Sequence, residues 1–213
     1  MEEVHWLALG DSYATLAALR TRLKILDNND DARLQSSLDA ATDYVEGITG
    51  RQFNDAVTPS ARVYYPDSPT LVRVDDFSTI TGLVVAVDYS NTGNYSGVIA
   101  ASNYQVEPLN GIVDGQTGWP FDRIRAINQY LPLWYGSIGS PRASVQVTAR
   151  WGWAAVPASV FEACLILAEE TFKMVDAPFG VAGFSQYGPV RVRENPKVMA
   201  LLNGFIRCPI QAR

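Results

Sequence analysis

Cysteine and histidine are nearly missing from this 213-residue chain, which holds two cysteines, Cys164 and Cys208, and one histidine, His5. Two cysteines make no disulfide framework, and one histidine leaves no plausible zinc set, so neither a covalent staple nor a structural metal or cofactor is expected. No apolar run approaches the roughly 18 residues of a membrane span. The start, Met1-Glu2-Glu3, is acidic where a secretory signal is basic. A soluble protein made inside a cell, with no membrane partner, is the expectation. Positive charge is also short: 17 Lys and Arg face 22 Asp and Glu, a net charge of -5. Such a chain is repelled by phosphate backbones and does not read as a nucleic-acid grip. What is abundant is core material, with 47% hydrophobic and 11% aromatic residues, enough for one large domain or two small ones.

The charge is unevenly placed. Residues 1–60 carry ten acids and five bases, whereas residues 185–213 carry the bases Arg191, Arg193, Lys197, Arg207 and Arg213 against the single acid Glu194. An acidic head and a basic tail suggest that the two ends meet different partners, or meet each other between copies.

Periodicity supplies the organisation. Leu16, Leu19, Leu23 and Leu26 recur at helical spacing and predict a helix from Ser12, broken at Asp27-Asn28-Asn29-Asp30. Leu34, Leu38, Ala41, Val45 and Ile48 predict a second helix from about Asp31 to Ile48, with Gly50 as a left-handed cap. Side chains of Asn28 to Asp30 are expected to cap it. Between Ser60 and Trp153 the period becomes two. Strands are expected around Arg62–Tyr65, Leu71–Val74, Leu83–Val87, Tyr104–Glu107 and Ser144–Thr148, with turns at Asn91–Asn94, Asn110-Gly111 and Asp114-Gly115. Pro157 opens a third helix to about Val175, ended by Asp176-Ala177-Pro178; a Gly-rich loop, 180–188, and a short strand at Val190–Arg193 follow. Asn195-Pro196 then marks the cap and first position of a last helix, Lys197 to Ile206. The expected fold is α+β: a helical bundle from residues 1–59 and 154–213, with an antiparallel β module, 60–153, inserted into it.

Several strings suggest chemistry. Leu9-Gly10-Asp11-Ser12 resembles the nucleophile block of GDSL hydrolases, but the base of that family is a histidine near the carboxyl terminus, and here His5 precedes the serine. Capping of the first helix by Asp11 or Ser12 is the favoured reading. Asp27–Asp31 opens like a calcium loop, yet its sixth position is Ala32 and its twelfth Leu38. Asp75-Asp76 point to opposite sides of a strand and make poor partners for acid and base work. Trp151-Gly152-Trp153 suits either base stacking or the seam between sheet and helix. Cys164 falls on an apolar stripe and reads as a small buried hydrophobe. No catalytic set emerges, and no enzyme is expected.

The order of the segments carries a resemblance. Tyr13 to Leu26, the Asp30-Asp31 start, Ala40-Ala41, Tyr44-Val45-Glu46 and Thr49-Gly50-Arg51-Gln52-Phe53 resemble the opening of tailed-phage head-to-tail connector (adaptor) proteins. Arg150–Trp153, Val156-Pro157, the helix through Cys164 to Lys173, Pro178–Phe184 and Val190–Val192 are similar to connectors of phages infecting actinobacteria. That family implies a structural virion protein at the neck, in a homo-oligomeric ring, typically of twelve copies, below the portal. Portal and a stopper or tail terminator would be its partners, and genome DNA would pass through without specific binding. The resemblance further implies a carboxyl-terminal arm that hooks onto the portal, so Arg191, Arg193, Lys197, Leu201, Leu202, Phe205, Ile206 and Arg207 are the expected docking residues. The other reading of that helix is closure of the subunit's own bundle. The acids Asp27, Asp30, Asp31, Asp39 and Asp43 are expected to face the lumen, or else to form an ordinary solvated helix face. A different neck or tail ring protein, and a GDSL-like hydrolase, are the alternatives.

Overall fold

The computed structural model describes residues 12–133, 142–174, 184–185, 188–189 and 195–207. They divide into two compact units, one from residues up to 54 together with those from 156, the other from 55–155.

The first unit is helical. Helix α1 (Leu16–Leu23) is capped by Thr15, whose hydroxyl accepts from the Ala18 N–H, and it closes at Lys24 in the left-handed conformation. The expected start at Ser12 is therefore corrected to Leu16, four residues on. Tyr13 and Ala14 are buried, and the Ser12 hydroxyl is spent on Asp39 Oδ1 at 2.8 Å. Leu26, placed on the first stripe, lies beyond the helix and is 99% exposed. Helix α2 (Asp31–Thr49) ends at Gly50, φ 63°, as its sequence predicts. Its amino end differs: Asp30 makes no side-chain cap bond, and the Asp27 carboxylate accepts from Asn29 instead. Helix α3 (Ala158–Met174) buries Val160, Cys164, Leu167, Ala168 and Phe172, while α2 buries Leu34, Leu38, Ala41 and Val45. Arg22 ties α1 to α3 through Glu169 at 2.6 Å and Glu162 at 2.9 Å. Helix α4 (Pro196–Leu202) begins as expected, with Asn195 Oδ1 accepting from the Lys197 and Val198 N–H groups and Pro196 at the first position, but it stops at Leu202 and continues as one 3-10 turn, Asn203–Phe205. Residues 175–183 and 190–194, holding the expected helix stop, most of the Gly-rich loop and the strand at Val190–Arg193, lie outside the described residues.

The second unit is built on two antiparallel sheets. One runs β1 (Ser60–Tyr64), β9 (Val145–Ala149), β3 (Val84–Val87), β4 (Gly97–Ile99); the other runs β2 (Leu71–Phe77), β8 (Phe121–Ala126), β5 (Tyr104–Glu107). A small hairpin, β6 (Ile112–Val113) with β7 (Gln116–Thr117), turns on Asp114 and Gly115, both at positive φ. Elsewhere in the chain, β10 (Phe184–Ser185) pairs with β11 (Gly188–Pro189). Alternation puts Val85, Val87, Ile99, Val145 and Val147 of the first sheet into one core with Val72, Val74, Phe77 and Ile124 of the second. Trp151 and Trp153 belong to this unit. Trp151 lies edge-on to Phe77, and the Trp153 N–H donates to buried Asp76 at 2.9 Å. Asp75, its neighbour, is held from elsewhere by Arg62 and the Tyr64 hydroxyl, as opposite strand faces require.

Asp88 is the most enclosed acid of the unit. Its carboxylate accepts from Ser90 N–H and hydroxyl at 2.9 Å and from the Gly93 N–H at 2.6 Å, and so organises the turn at Asn91–Asn94. Burial disfavours its charge, yet the donors of Gly93, Ser90 and Thr92 outweigh that and hold the carboxyl below its usual range. A depressed folded-state value stabilises above the unfolded pKa of about 3.9 and is lost as pH falls through the folded value. Asp88→Asn is thus expected to destabilise at neutral pH, with the gap to wild type closing on acidification. Urea titrations across that range check it.

Candidate functional site: a clasp for the carboxyl-terminal segment

The string Thr49-Gly50-Arg51-Gln52-Phe53 is where the two ends of the helical unit meet. A helix leaves its last carbonyls without partners. Thr49, at the end of α2, turns its hydroxyl back to the Val45 carbonyl at 2.8 Å, and its own carbonyl accepts from the Arg207 N–H at 2.8 Å. Gly50 supplies the left-handed turn, its N–H on the Glu46 carbonyl at 2.8 Å. A β-carbon there would stand 3.7 Å from that of Arg207. The turn sends Arg51 back along the unit, where its Nε donates to the Phe205 carbonyl at 2.8 Å. Phe53 is fully buried, edge-on to Phe205 at 5.7 Å and to Tyr13 at 5.4 Å. Residues 203–207 are therefore gripped by a long-range backbone hydrogen bond, a side-chain-to-carbonyl hydrogen bond from Arg51 and an aromatic contact with Phe53.

Tyr13 secures the near side. Its hydroxyl donates to Glu46 Oε1 at 2.5 Å and accepts from the Phe53 N–H at 2.9 Å. Burial, with the Glu46 bond, pushes the phenol above its ordinary value. Burial also raises the Glu46 carboxyl, against the Tyr13 hydrogen bond and with the help of Asp43. An acid raised on folding stabilises fully below its unfolded pKa of about 4.3, and that contribution is lost as pH rises through the folded value. Glu46→Gln, which keeps an acceptor for Tyr13, should gain on wild type as pH climbs from acid to neutral. Paired melts at several pH values check it.

The expected docking residues divide. Leu202 and Val198 are buried within their own unit, and Phe205 is half-buried against Phe53. Lys197 and Ile206 are exposed, Leu201 and Arg207 half-buried. Arg191 and Arg193 lie outside the described residues. The acids of the hairpin are largely engaged: Asp31 with Arg20 at 2.7 Å, Asp30 with Arg33 at 3.2 Å, Asp39 with Ser12 and Gln35 at 2.8 Å each, and Asp27 within its own turn. Asp43 is exposed.

Ser12, the candidate nucleophile, donates to Asp39 and accepts from Gln35 at 2.8 Å; His5 lies outside the described residues. Cys164 is buried, its sulfur 3.7 Å from the Thr42 hydroxyl, as its place on the apolar stripe predicts. Cys208 lies outside the described residues. Among the described residues no three His, Cys, Asp or Glu side chains group to hold a metal ion, and no helix is long and apolar enough to cross a membrane.

The fold, a helical unit interrupted by a two-sheet unit, is similar to that of chains in three solved particle structures. A chain in the "Neck of empty GTA particle computed with C6 symmetry" superposes with a TM-score of 0.58 at 20% identity, over 97% of this chain and 96% of that one. The "Neck of native GTA particle computed with C12 symmetry" gives 0.55 at 19% identity, over 97% and 96%. The virion of the native gene transfer agent particle gives 0.53 at 20%, over 98% and 96%. At that identity the likeness is one of fold. Separately, residues 13–108 are similar to the family model described as phage gp6-like head-tail connector protein, a stretch that includes the Tyr13 to Phe53 segments on which the resemblance was drawn. No curated protein matches.

Proposed function

We propose that the chain is a structural subunit of a particle neck, a head-to-tail connector that assembles into a ring below the portal and joins it to a stopper or tail terminator. Genome DNA passes through the ring without a specific site. The observation that carries this reading is the connector-family match over residues 13–108, on a fold shared with neck chains over nearly its whole length. The symmetries named for those necks, C6 and C12, support a closed ring of copies. A closed ring requires heterologous contacts, one face of a subunit on a different face of the next. The net charge of -5 suits passage of a sliding duplex, since phosphates are held chiefly by Lys and Arg. Exposed Lys197 and Ile206, with the residues beyond 207, make the portal-facing arm in this reading.

Negative-stain imaging of the purified protein, alone and with portal-bearing capsids, tests it. A ring of density at the portal vertex is the expected result. Capsids left bare at saturating protein, or binding to tails alone, would overturn it.

A further inference from the structure

We propose that Arg51 is a positioning residue for portal attachment: through the clasp it fixes the point and direction at which the chain leaves the helical unit after Arg207. The proposal rests on the reading of the residues beyond 207 as a docking arm. Arg51 itself touches no partner in this account.

The argument is geometric. The last helical turn, Asn203–Phe205, is short, and a turn of that length does not hold itself. Within the segment, Asn203 is exposed and Gly204 has no side chain, so neither contributes much hold. Fixation comes from the other end of the unit. Arg51 Nε meets the Phe205 carbonyl, the Thr49 carbonyl meets the Arg207 N–H, and Phe53 meets the Phe205 ring. Of these, the Arg51 bond is the charge-assisted one, and such bonds are the stronger kind. It also lies within a turn of the carboxyl end of α2, where the helix dipole favours a cation. An arm leaving from a fixed point presents its anchors to a partner at high effective concentration, whereas one leaving from a frayed end must be ordered on binding.

This gives a physical reason for each residue of the string. Thr49 supplies a helix-end carbonyl that accepts from the Arg207 N–H, Gly50 the left-handed turn, Arg51 the reach to Phe205, and Phe53 the buried ring beneath. Gln52 is exposed and has no part.

The test uses full-length protein and portal-bearing capsids, with four chains: wild type, Arg51→Ala, Arg51→Lys, and a chain ending at Arg207. Attachment is read by co-sedimentation, fold by thermal melting, and the clasp by hydrogen exchange of residues 203–207. Loss of one charged hydrogen bond predicts that Arg51→Ala attaches roughly tenfold more weakly or worse, with faster exchange at Phe205 to Arg207 and a melt close to wild type. Arg51→Lys, which keeps a cationic donor, recovers most of the attachment. If the chain ending at Arg207 fails to attach while Arg51→Ala attaches like wild type, the positioning role is overturned and the arm stands. If the shortened chain attaches normally, the arm itself is wrong and the positioning role falls with it. Equal defects in Arg51→Ala and Arg51→Lys, both with a lowered melt, would make Arg51 a general fold contact and also overturn the role.

Discussion

Phe53→Ala is expected to remove about 3–5 kcal/mol of stability, the cost of deleting a large buried aromatic and leaving its cavity. Phe53 is wholly buried, and both of its ring partners lose an edge contact at once: Tyr13 at 5.4 Å and Phe205 at 5.7 Å. The Phe53 N–H and the Tyr13 hydroxyl remain, so the hydrogen-bond network that joins Tyr13 to Glu46 is spared by design. Tyr13→Phe isolates that network: it strips the Phe53 N–H of its acceptor and Glu46 of a donor, for about 1–3 kcal/mol. Urea unfolding followed by circular dichroism checks both. A Phe53→Ala loss below that of Tyr13→Phe would show that the ring is not the centre of the clasp.

Trp151→Ala carries an effect of similar size, about 3–5 kcal/mol, in the other unit. The indole is buried at the meeting of β1, β2 and β9: its N–H donates to the Ser60 carbonyl at 2.9 Å, Phe77 lies edge-on, and the Arg62 guanidinium sits 4.7 Å above the ring. Trp151→Phe keeps most of the volume but leaves the Ser60 carbonyl without this donor, so about 1–3 kcal/mol is expected for it. Hydrogen exchange should report the loss first in β1 and β9, whose register runs from Ser60 with Ala149 to Tyr64 with Val145. Protection lost first in α2 and α3 would contradict that assignment.

What was legible in the sequence follows from which forces are local. Helix α2 was readable to within a residue because its apolar stripe, Leu34 to Val45, and its glycine stop are local signals. Asn195-Pro196 was readable for the same reason. The start of α1 was not, since Asp11, Ser12 and Thr15 are all capping types and the choice was made by burial of Tyr13 and by Asp39 claiming Ser12. Strand β8 is not legible in the sequence because Asp122, Arg123 and Arg125 dilute its alternation. The structure explains that charge: Glu107, on the neighbouring strand, binds Arg125 at 2.6 Å. The string Thr49 to Phe53 is visible in the sequence, but its contacts are not. Arg51 acts on a backbone carbonyl 154 positions away, and no side-chain pattern announces such a partner.

The division of the chain governs the order in which the molecule comes into being. One unit draws on residues before 54 and after 156, while the other is continuous from 55 to 155. On the ribosome, chains fold domain by domain as they emerge. The sheets therefore have all their strands in hand while α1 and α2 still wait for α3, whose Cys164, Leu167 and Ala168 complete their core. Arg207, the last residue of the clasp, arrives later still, so each newly made copy closes its clasp only after the sheets have all their strands.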